Sequence, residues 1–531
     1  MTTTNPKPSL LIVVIGGLTI SAACCQDKPA APVHKFTPIC AITSEEADKT
    51  LILGGGSHFA FVRSSQGGRE TVVLDGKPGA EFSKIDLIRF SPDGRRLAYV
   101  AQVSPGRSVV VSDGQSSPEF PEIRNLAFSL DGRRMAFVAM VSKDRFTMVV
   151  DGQSGPEYFD ISEPSFSTDG SRIAYMACLI AGSEKSSRLK FECVVVDGKP
   201  GETYAFVGPP VFSLDGKRMA YVAGSFSPGG KCGQCLILDG QPGPYGFCQM
   251  LTSTSPSNFR REPFALRGAF WSPLAGWGLM GIEFRDKDGK LAPAYDPSHF
   301  PVFSPDGKRI AYIEAAERAV TVVVDGQKGE SYAGVSLPVF SADSQRIMYS
   351  SIALGLGLAK RRMVIDGVPG PFVSSIEGAL FSPDSKRVAY VATSSEKSKL
   401  GGSMVVVVDG RESPGFDSIH ARSLLFSPDS KRVGFIGMRE RKQMVVVDGR
   451  PGLKHDGADS MHFSSDGKRG VYVATEQGKS FVVLNGRPGP PFDQIVGTPD
   501  WTTSAPDSAL EYLAIKSGMI GRVLFTPSPG G

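Results

Sequence analysis

Two Ser-x-x-Lys sequences are the nearest approach in this chain to a serine nucleophile with its base. They are SSEK at residues 394–397 and SDGK at residues 465–468. Serine acyl-transfer enzymes with this motif also carry S-D-N and K-T-G sequences, and esterases carry G-x-S-x-G. The chain contains none of these three. We therefore predict no catalytic serine, and we interpret the two sequences as a hairpin loop and a turn.

Three cysteines, Cys232, Cys235 and Cys248, form a second group with possible chemistry. Cys-x-x-Cys is typical of metal and redox sites, but no histidine lies nearby and the position is typical of a strand edge. The sequence DKDG at residues 286–289 resembles the start of a calcium loop, although the later acidic ligands are missing. We predict no metal ion and no cofactor.

Histidines could supply a general base only if the fold brings them together with an acid and a nucleophile. Four of the six histidines are scattered across the units, at His299, His420, His455 and His462. Without such a cluster, we predict no catalytic residue.

The elements that must position all these side chains are copies of one repeat. Residues 303–332 contain two Asp-Gly turns, each flanked by β-branched and aromatic residues, which predicts short antiparallel strands joined by tight turns. The first turn follows a phenylalanine and is FSPDG, FSPDS or a close variant, in most copies with a basic pair behind it. It recurs after Phe90, Phe128, Phe166, Phe212, Phe303, Phe340, Phe381, Phe426 and Phe463. The second turn, as in VVVDG, recurs at Asp75, Asp113, Asp151, Asp197, Asp239, Asp325, Asp366, Asp409, Asp448 and Asn485.

The repeat period predicts an all-β fold, a β-propeller of four-stranded antiparallel blades. Second turns follow one another at 37 to 46 residues, except for 86 residues from Asp239 to Asp325. Reading 86 as two periods adds a degenerate unit at 251–296 and gives about twelve units. Because rings of four to eight blades are usual, we expect two six-bladed rings, at residues 51–270 and 271–531.

The N-terminus is typical of an exported protein. Residues 1–25 contain a basic residue, an apolar run and small residues, which predicts a cleaved signal peptide. The sequence ISAAC resembles a bacterial lipobox, so Cys24 is a candidate for lipidation, with Ser21 as a departure from that pattern. Residues 26–50 form a tether and lead-in. We expect a periplasmic protein or an outer-membrane or cell-surface lipoprotein.

The remaining composition limits the partners. Lys+Arg 58 against Asp+Glu 54 gives a net charge of +4, so nothing indicates nucleic-acid binding, and we expect membrane contact only through an N-terminal lipid. The basic pairs behind the first turns are interpreted as solvated charge. Cys178 and Cys193 flank one predicted hairpin, so we predict a disulfide between them.

The SPDGKRIAY-type units resemble the WD40-like, TolB-type propeller repeat of bacterial exported proteins, which also occurs in the propeller domains of prolyl-oligopeptidase-type peptidases. The resemblance covers residues 51–525 and implies a β-propeller outside the cytoplasm. The VVVDGxPGP half is peculiar to this chain. Gly-His and Trp-Asp signatures cannot recur, since the chain has six His and three Trp.

A propeller offers loops on two faces and a central channel, and the fold alone does not define a function. The leading hypothesis is a non-enzymatic scaffold that binds an envelope protein or a small ligand. The alternative is a lyase, glycosidase or other hydrolase with its site in the channel. A convergence of His, Arg and acidic side chains there would favour the enzyme.

Overall fold

The structure is a computed structural model whose regular structure, over the residues it describes, is almost entirely β-strand. A short helix, α1 (Ser44–Lys49), and a 3-10 turn, Ala421–Ser423, are the exceptions within those residues. The described residues are 33–49, 51–54, 58–181, 189–226, 232–242, 248–249, 301–316, 319–353, 360–393, 404–501 and 509–526.

The strands form eleven antiparallel sheets, which we call blades 1 to 11 in chain order. An N-terminal strand, β1 (Val33–Ala41), precedes them and joins blade 11. Blade 1 contains β2 (Ile52–Gly54), β3 (His58–Ser64), β4 (Glu70–Leu74) and β5 (Lys77–Phe82), and blade 2 contains β6 (Lys84–Phe90), β7 (Leu97–Ser104), β8 (Arg107–Ser112) and β9 (Gln115–Ser116). Blade 3 contains β10 (Ile123–Phe128), β11 (Met135–Ser142), β12 (Arg145–Val150) and β13 (Gln153–Tyr158), and blade 4 contains β14 (Asp160–Ile161), β15 (Ser165–Phe166), β16 (Ile173–Ala181), β17 (Leu189–Val196) and β18 (Lys199–Pro200). Blade 5 contains β19 (Phe206–Val207), β20 (Val211–Phe212), β21 (Met219–Phe226), β22 (Cys232–Leu238), β23 (Gln241–Pro242) and β24 (Cys248–Gln249).

The second part of the chain repeats the same plan. Blade 6 contains β25 (Val302–Phe303), β26 (Ile310–Ala316), β27 (Ala319–Val324) and β28 (Gln327–Tyr332), and blade 7 contains β29 (Gly334–Val335), β30 (Val339–Phe340), β31 (Ile347–Ile352), β32 (Arg361–Ile365) and β33 (Val368–Pro369). Blade 8 contains β34 (Ser375–Phe381), β35 (Val388–Thr393), β36 (Met404–Val408) and β37 (Arg411–Glu412), and blade 9 contains β38 (Ser418–Ile419), β39 (Leu425–Phe426), β40 (Val433–Arg439), β41 (Lys442–Val447) and β42 (Arg450–Pro451). Blade 10 contains β43 (Gly457–Phe463), β44 (Gly470–Glu476), β45 (Lys479–Leu484) and β46 (Arg487–Pro488), and blade 11 contains β47 (Gln494–Trp501), β48 (Leu510–Lys516) and β49 (Met519–Thr526).

Each blade follows the order predicted from the repeat, so the expectation of four-stranded antiparallel blades is confirmed. The first strand is innermost, because first strands of neighbouring blades contact one another, as β6 does with β2 and β10, whereas fourth strands contact the next blade's second strand. In blades 4, 5, 7 and 9 the first strand is in two pieces. We call the side with the two Asp-Gly turns the turn face, and the side with the loops between second and third strands the hairpin face.

The turn between third and fourth strands explains why Asp-Gly recurs. Asp325 has φ 51° and Gly326 has φ 82°, so both central residues are left-handed. This is the requirement of a type I′ hairpin turn, where glycine carries no Cβ penalty and aspartate tolerates the conformation better than most residues.

Neighbouring blades are joined by the second residue of each basic pair. Arg346 in blade 7 donates from Nε to Asp366 Oδ2 at 2.8 Å in its own blade, and from Nη1 to the Lys386 carbonyl of blade 8 at 2.9 Å. Its guanidinium also lies over the Phe381 ring of blade 8, 5.2 Å from the centroid. The prediction that the basic pairs are simply solvated is therefore wrong for this residue, which recurs as Arg96, Arg134, Arg172, Arg218, Arg309, Arg387 and Arg432.

Two further contacts repeat at the joints. The first-turn aspartate of one blade lies against the left-handed Gly of the next first turn, and where that Gly is Ser385 its Oγ accepts a hydrogen bond from the Asp343 backbone N–H at 2.9 Å. Near the outer edge, an aromatic ring of the fourth-strand segment packs on a second-strand ring of the next blade, as Phe416 does on Phe435 with centroids 5.5 Å apart. Polar and apolar contacts thus fix each joint.

The ring closes through the N-terminal strand. Blade 11 has the order β47, β48, β49 and β1, with β1 antiparallel to β49 and Val33 paired with Thr526. Blade 11 then packs on blade 1 through a buried cluster that includes Leu513 and Phe59.

The structure has one ring of eleven blades, so the prediction of two rings with about twelve units is wrong. Blades 5 and 6 are direct neighbours, because Arg218 lies over the Phe303 ring and Asp215 contacts Gly307, as at the other joints. The 86-residue spacing therefore does not contain a blade between them. The degenerate unit predicted at 251–296 lies outside the described residues.

Candidate functional site

The innermost strands of several blades are distorted near the same point, and this distortion shapes the central channel. In β6 the pairing shifts between Asp86 and Arg89, and Leu87 has φ 51°. The equivalent positions in β10 and β43 are Asn125 with φ 58° and Ser460 with φ 54°. Non-glycine residues adopt this conformation at a cost, and outside tight turns they are enriched at functional sites. The channel wall is therefore a candidate site.

One arc of the wall, formed by blades 2 to 4, carries side chains of both charges. Arg89 of blade 2 and Glu163 of blade 4 interact electrostatically although a blade separates them. Burial raises the pKa of Glu163 and the Arg89 charge lowers it, with burial the larger cause. Glu163 still reaches solvent, as expected of a carboxyl inside a water-filled channel, where protein atoms replace part of the bulk water.

A second pair on this arc joins blades 3 and 4. The Arg124 guanidinium donates a hydrogen bond to the Asp160 carboxylate and lies 4.2 Å from the centroid of the Phe146 ring. Both side chains are about 30% exposed, at 29% and 31%. Phe146 lies in the third strand, β12, so this guanidinium points away from the axis and the pair belongs to the joint between blades 3 and 4.

The arc formed by blades 8 to 10 presents a different charged set. Glu377, His420, Arg422 and Asp459 are all exposed on first-strand segments. They come from three blades, and within the described residues no hydrogen bond joins their side chains to one another. This arc can contact a ligand through acid, imidazole and guanidinium groups.

The other predicted histidines stabilise joints. His455 is buried, with Nδ1 at 2.8 Å from Glu476 Oε1 and Nε2 at 3.1 Å from the Tyr472 hydroxyl of blade 10. His462 bonds the Ser460 and Pro499 carbonyls and so connects blades 10 and 11. His299 lies outside the described residues. The ring therefore does not bring these histidines together with His420.

The remaining candidate sequences give turns and strands where the structure describes them. Lys468 lies in the first turn of blade 10, where its carbonyl accepts a bond from Arg432 at 2.9 Å. Cys235 lies half-buried in β22, and burial raises its pKa. Over the described part of the chain no group of His, Cys, Asp and Glu could hold a metal ion. Cys24 and residues 286–289 and 394–397 lie outside that part.

The predicted Cys178–Cys193 disulfide is not formed. Both residues are thiols on paired strands, but the register pairs Cys193 with Ala177 and Cys178 with Glu192. Side chains alternate between the two faces of a sheet, so the two sulfurs point to opposite faces. Burial, followed by the neighbouring Cys178 and Glu192, raises the pKa of Cys193 to about 11.

A smaller cavity of about 310 Å³ lies between blades 4 and 5. Its polar lining includes Arg172, Asp197, Glu202 and Tyr221. The Arg172–Asp197 ion pair at 3.2 Å already belongs to the joint. Burial raises the pKa of Tyr221 to about 12, with a smaller contribution from Glu202. The cavity has the volume of the smallest ligand pockets, so the channel wall is the stronger candidate.

Comparison with known proteins identifies similar solved structures but no relative by sequence. No family model matches the chain, and no curated protein matches it. Among solved structures, it is similar to a eukaryotic initiation factor, with 12% identity over 90% of this chain and 99% of that chain and a TM-score of 0.35. It is also similar to TolB from Acinetobacter baumannii, with 15% identity over 54% and 65% of the two chains and a TM-score of 0.20.

A third similar structure is the β-propeller domain of the Trilobed protease from Pyrococcus furiosus. Its identity is 16% over 61% of this chain and 97% of that chain, with a TM-score of 0.25. TolB and a protease propeller are thus among the structural neighbours, and at these identities and TM-scores the likeness implies nothing about the function of this chain. Within the described residues, no helix is long and apolar enough to cross a membrane.

Proposed function

We propose that this protein is an exported, non-enzymatic propeller that binds an envelope protein or a small polar ligand at the wall of its central channel. The observation that carries the proposal is how the polar side chains are used. The repeated Ser, Asp and Arg side chains are engaged in turns and joints, as in the Ser382–Asp384 bond of 2.6 Å. Charged residues that the repeat does not dictate lie on the channel wall.

The channel wall suits a ligand with both charges. Arg89 and Glu163 supply opposite charges on one arc, and Arg422 and Asp459 do so on the other. Complementary charge favours specificity and fast association more than raw affinity. A polypeptide segment with mixed charge, or a small zwitterionic ligand, satisfies both arcs.

The alternative, a lyase or glycosidase, has two observations in its favour. The first is the set of acid, imidazole and guanidinium groups that blades 8 to 10 present on the channel wall, although no hydrogen bond joins these side chains within the described residues. The second is Glu163. Glu163 is a channel carboxyl whose pKa is raised by burial, the property of a general acid. Catalysis also needs a second group positioned with it on the reacting bond. Arg89, its electrostatic neighbour, can stabilise charge but cannot act as a base at neutral pH.

The test is to exchange the charges of the channel and to follow both binding and turnover. We would crosslink the protein in envelope extracts and compare Arg89→Glu and Glu163→Lys with Lys143→Glu, an exposed hairpin-loop control outside the channel. We expect a stoichiometric partner that both channel variants lose and the control keeps.

The same proteins would be screened against glycan, ester and peptide substrates. Turnover that Glu163→Gln abolishes while the fold is retained would establish the enzyme and refute the binding proposal. Equal capture of the partner by all three charge variants would show that the binding surface lies outside the channel.

A further inference from the structure

Exposed cations recur at one position of the turn face. The residue before the joint arginine projects into solvent, with side-chain exposures of 84% for Arg95 and 81% for Lys431. Because the ring sets the first turns side by side, these residues, which are far apart in the sequence, lie on one circle around the axis. We call this circle the cation ring; it contains Arg95, Arg133, Lys217, Lys308, Lys386, Lys431 and Lys468.

The carboxylates of the same turns are withdrawn beneath the cation ring. Asp429 accepts hydrogen bonds from Ser427 Oγ at 2.5 Å and from the Lys431 backbone N–H at 3.2 Å, and it is 29% exposed. Lys431 Nζ lies 3.7 Å from Asp429 Oδ2 but extends further into water. The outermost charged layer of this face is therefore positive, although the chain as a whole is nearly neutral.

A second row of cations strengthens the same face. It lies one position after the outer Asp-Gly turns, and its members are exposed; they are Lys77, Lys199, Arg411, Arg450 and Arg487. On the other side of the ring, the exposed ends of first strands and their approaches carry carboxylates, including Asp86, Glu122 and Asp459. Exposed cations such as Arg107 and Lys442, at the starts of third strands, lie on that side as well, so the hairpin face carries both signs whereas the cation ring is the outermost charge of the first turns.

The N-terminal strand independently indicates which face lies towards a membrane. Third strands run from the hairpin face to the turn face, so β49 ends on the turn face at Thr526. Val33 pairs with Thr526, and β1 consequently enters the ring from the turn face. Eight residues separate Val33 from Cys24, the predicted lipidation site, and they span at most about 30 Å.

From these two observations we propose that the turn face docks on an anionic lipid surface. Basic residues near such a surface are attracted to it individually, and a basic patch together with one lipid chain gives stable anchoring where either alone is weak. The hairpin face would then point away from the membrane. This proposal concerns orientation and does not depend on what the channel binds.

The experiment uses the chain from residue 26 onwards, which retains β1 and every described blade but carries no lipid. Its sedimentation with phosphatidylcholine vesicles would be compared with that on vesicles containing about a third phosphatidylglycerol, at several salt concentrations. The first variant changes Arg95, Arg133, Lys217 and Lys308 to Gln. The matched control changes Arg107, Arg145, Lys442 and Lys479 to Gln, which begin third strands at the hairpin face.

We expect binding only to the anionic vesicles, weakened by salt, with at least a tenfold loss in the turn-face variant and less than a twofold change in the control. A second variant, with Lys77, Lys199, Arg411 and Arg450 changed to Gln, tests the same face at other positions if the first one unfolds. Failure of the unaltered chain to bind anionic vesicles, or equal loss in turn-face and control variants, would overturn the proposal. Binding to nucleic acid or protein but not to vesicles would likewise overturn it.

Discussion

Replacing Arg346 by Ala tests whether the joint arginine, and not the exposed basic residue beside each turn, holds blades together. The change removes the Asp366 ion pair, bonds to the Ser385 and Lys386 carbonyls at 3.2 and 2.9 Å, and the contact with Phe381. The Arg346 side chain is 29% exposed, so solvent screens these interactions only in part.

The magnitude follows from these contacts. Hydrogen bonds to a charged group contribute about 1.5–3 kcal/mol and a half-buried cation–π contact about 1 kcal/mol, but the contributions overlap. We therefore expect Arg346→Ala to destabilise the joint by about 3 kcal/mol. Lys386→Ala is the control: its carbonyl accepts from Arg346 while its side chain is exposed, so it should cost under about 0.5 kcal/mol.

The assay is hydrogen exchange read by mass spectrometry, because a ring of this size need not unfold in two states. Backbone amides of the 382–387 turn should exchange roughly a hundredfold faster in Arg346→Ala if local opening becomes about 3 kcal/mol easier. They should keep their protection in Lys386→Ala. Similar exchange in both variants would refute the assignment of this residue to the joint.

Three further predictions concern stability and thiol chemistry. Ser385 has φ 65° and its hydroxyl accepts a hydrogen bond from the Asp343 N–H, so Ser385→Ala should lower the free energy of unfolding by about 2 kcal/mol. Ser385→Gly should lower it by about 1 kcal/mol less than Ser385→Ala does, because glycine relieves the left-handed strain. Equal midpoints of denaturant unfolding for the two variants would contradict this prediction. Hydrogen bonds from the Ser382 hydroxyl and the Lys386 N–H lower the pKa of Asp384 below 3.8. The contribution of Asp384 to folding stability should therefore be present above pH 4 and be lost as the pH falls through the lowered pKa. Asp384→Asn should make the melting temperature less dependent on pH in this range, and an unchanged dependence would contradict this prediction. Cys193 is buried with a raised pKa, so iodoacetamide at pH 7 should modify it only after unfolding, as read by peptide mass; rapid labelling of the native protein, or a peptide pair linked to Cys178, would contradict the described packing.

The blade could be predicted from the sequence, because its determinants are local. Asp-Gly turns and β-branched runs such as residues 319–324 specify hairpins through nearest-neighbour chemistry, and β27 occupies that run. The number of blades in the ring could not be predicted in the same way. It depends on how each blade packs on the next, and the joint at Arg218 and Phe303 connects residues separated by a long segment without repeat character.

The candidate site was less accessible to sequence reasoning. Arg89 and Glu163 are 74 residues apart and carry no motif, and the Arg89 charge acts on Glu163 only because blades 2 and 4 curve around one axis. A signal for the joint arginine did exist, since it is arginine in every complete unit while its neighbour varies between Arg, Lys, Ser and Gln. An invariant position beside a variable one is typical of a buried contact. The disulfide prediction failed because a one-residue offset reverses the face.

The use of β1 as the last strand of blade 11 has a consequence for biogenesis. Residues 33–41 leave the ribosome among the first, yet their partner β49 is made last, so the ring cannot close until nearly the whole chain exists. Until then β1 has no partner and presents unpaired edges, the kind of edge that recruits strands from other molecules. Contacts between distant parts of a chain also form slowly. β1, the strand that closes the ring, is therefore the one that stays unpaired longest. In the interval before closure, aggregation competes most directly with folding.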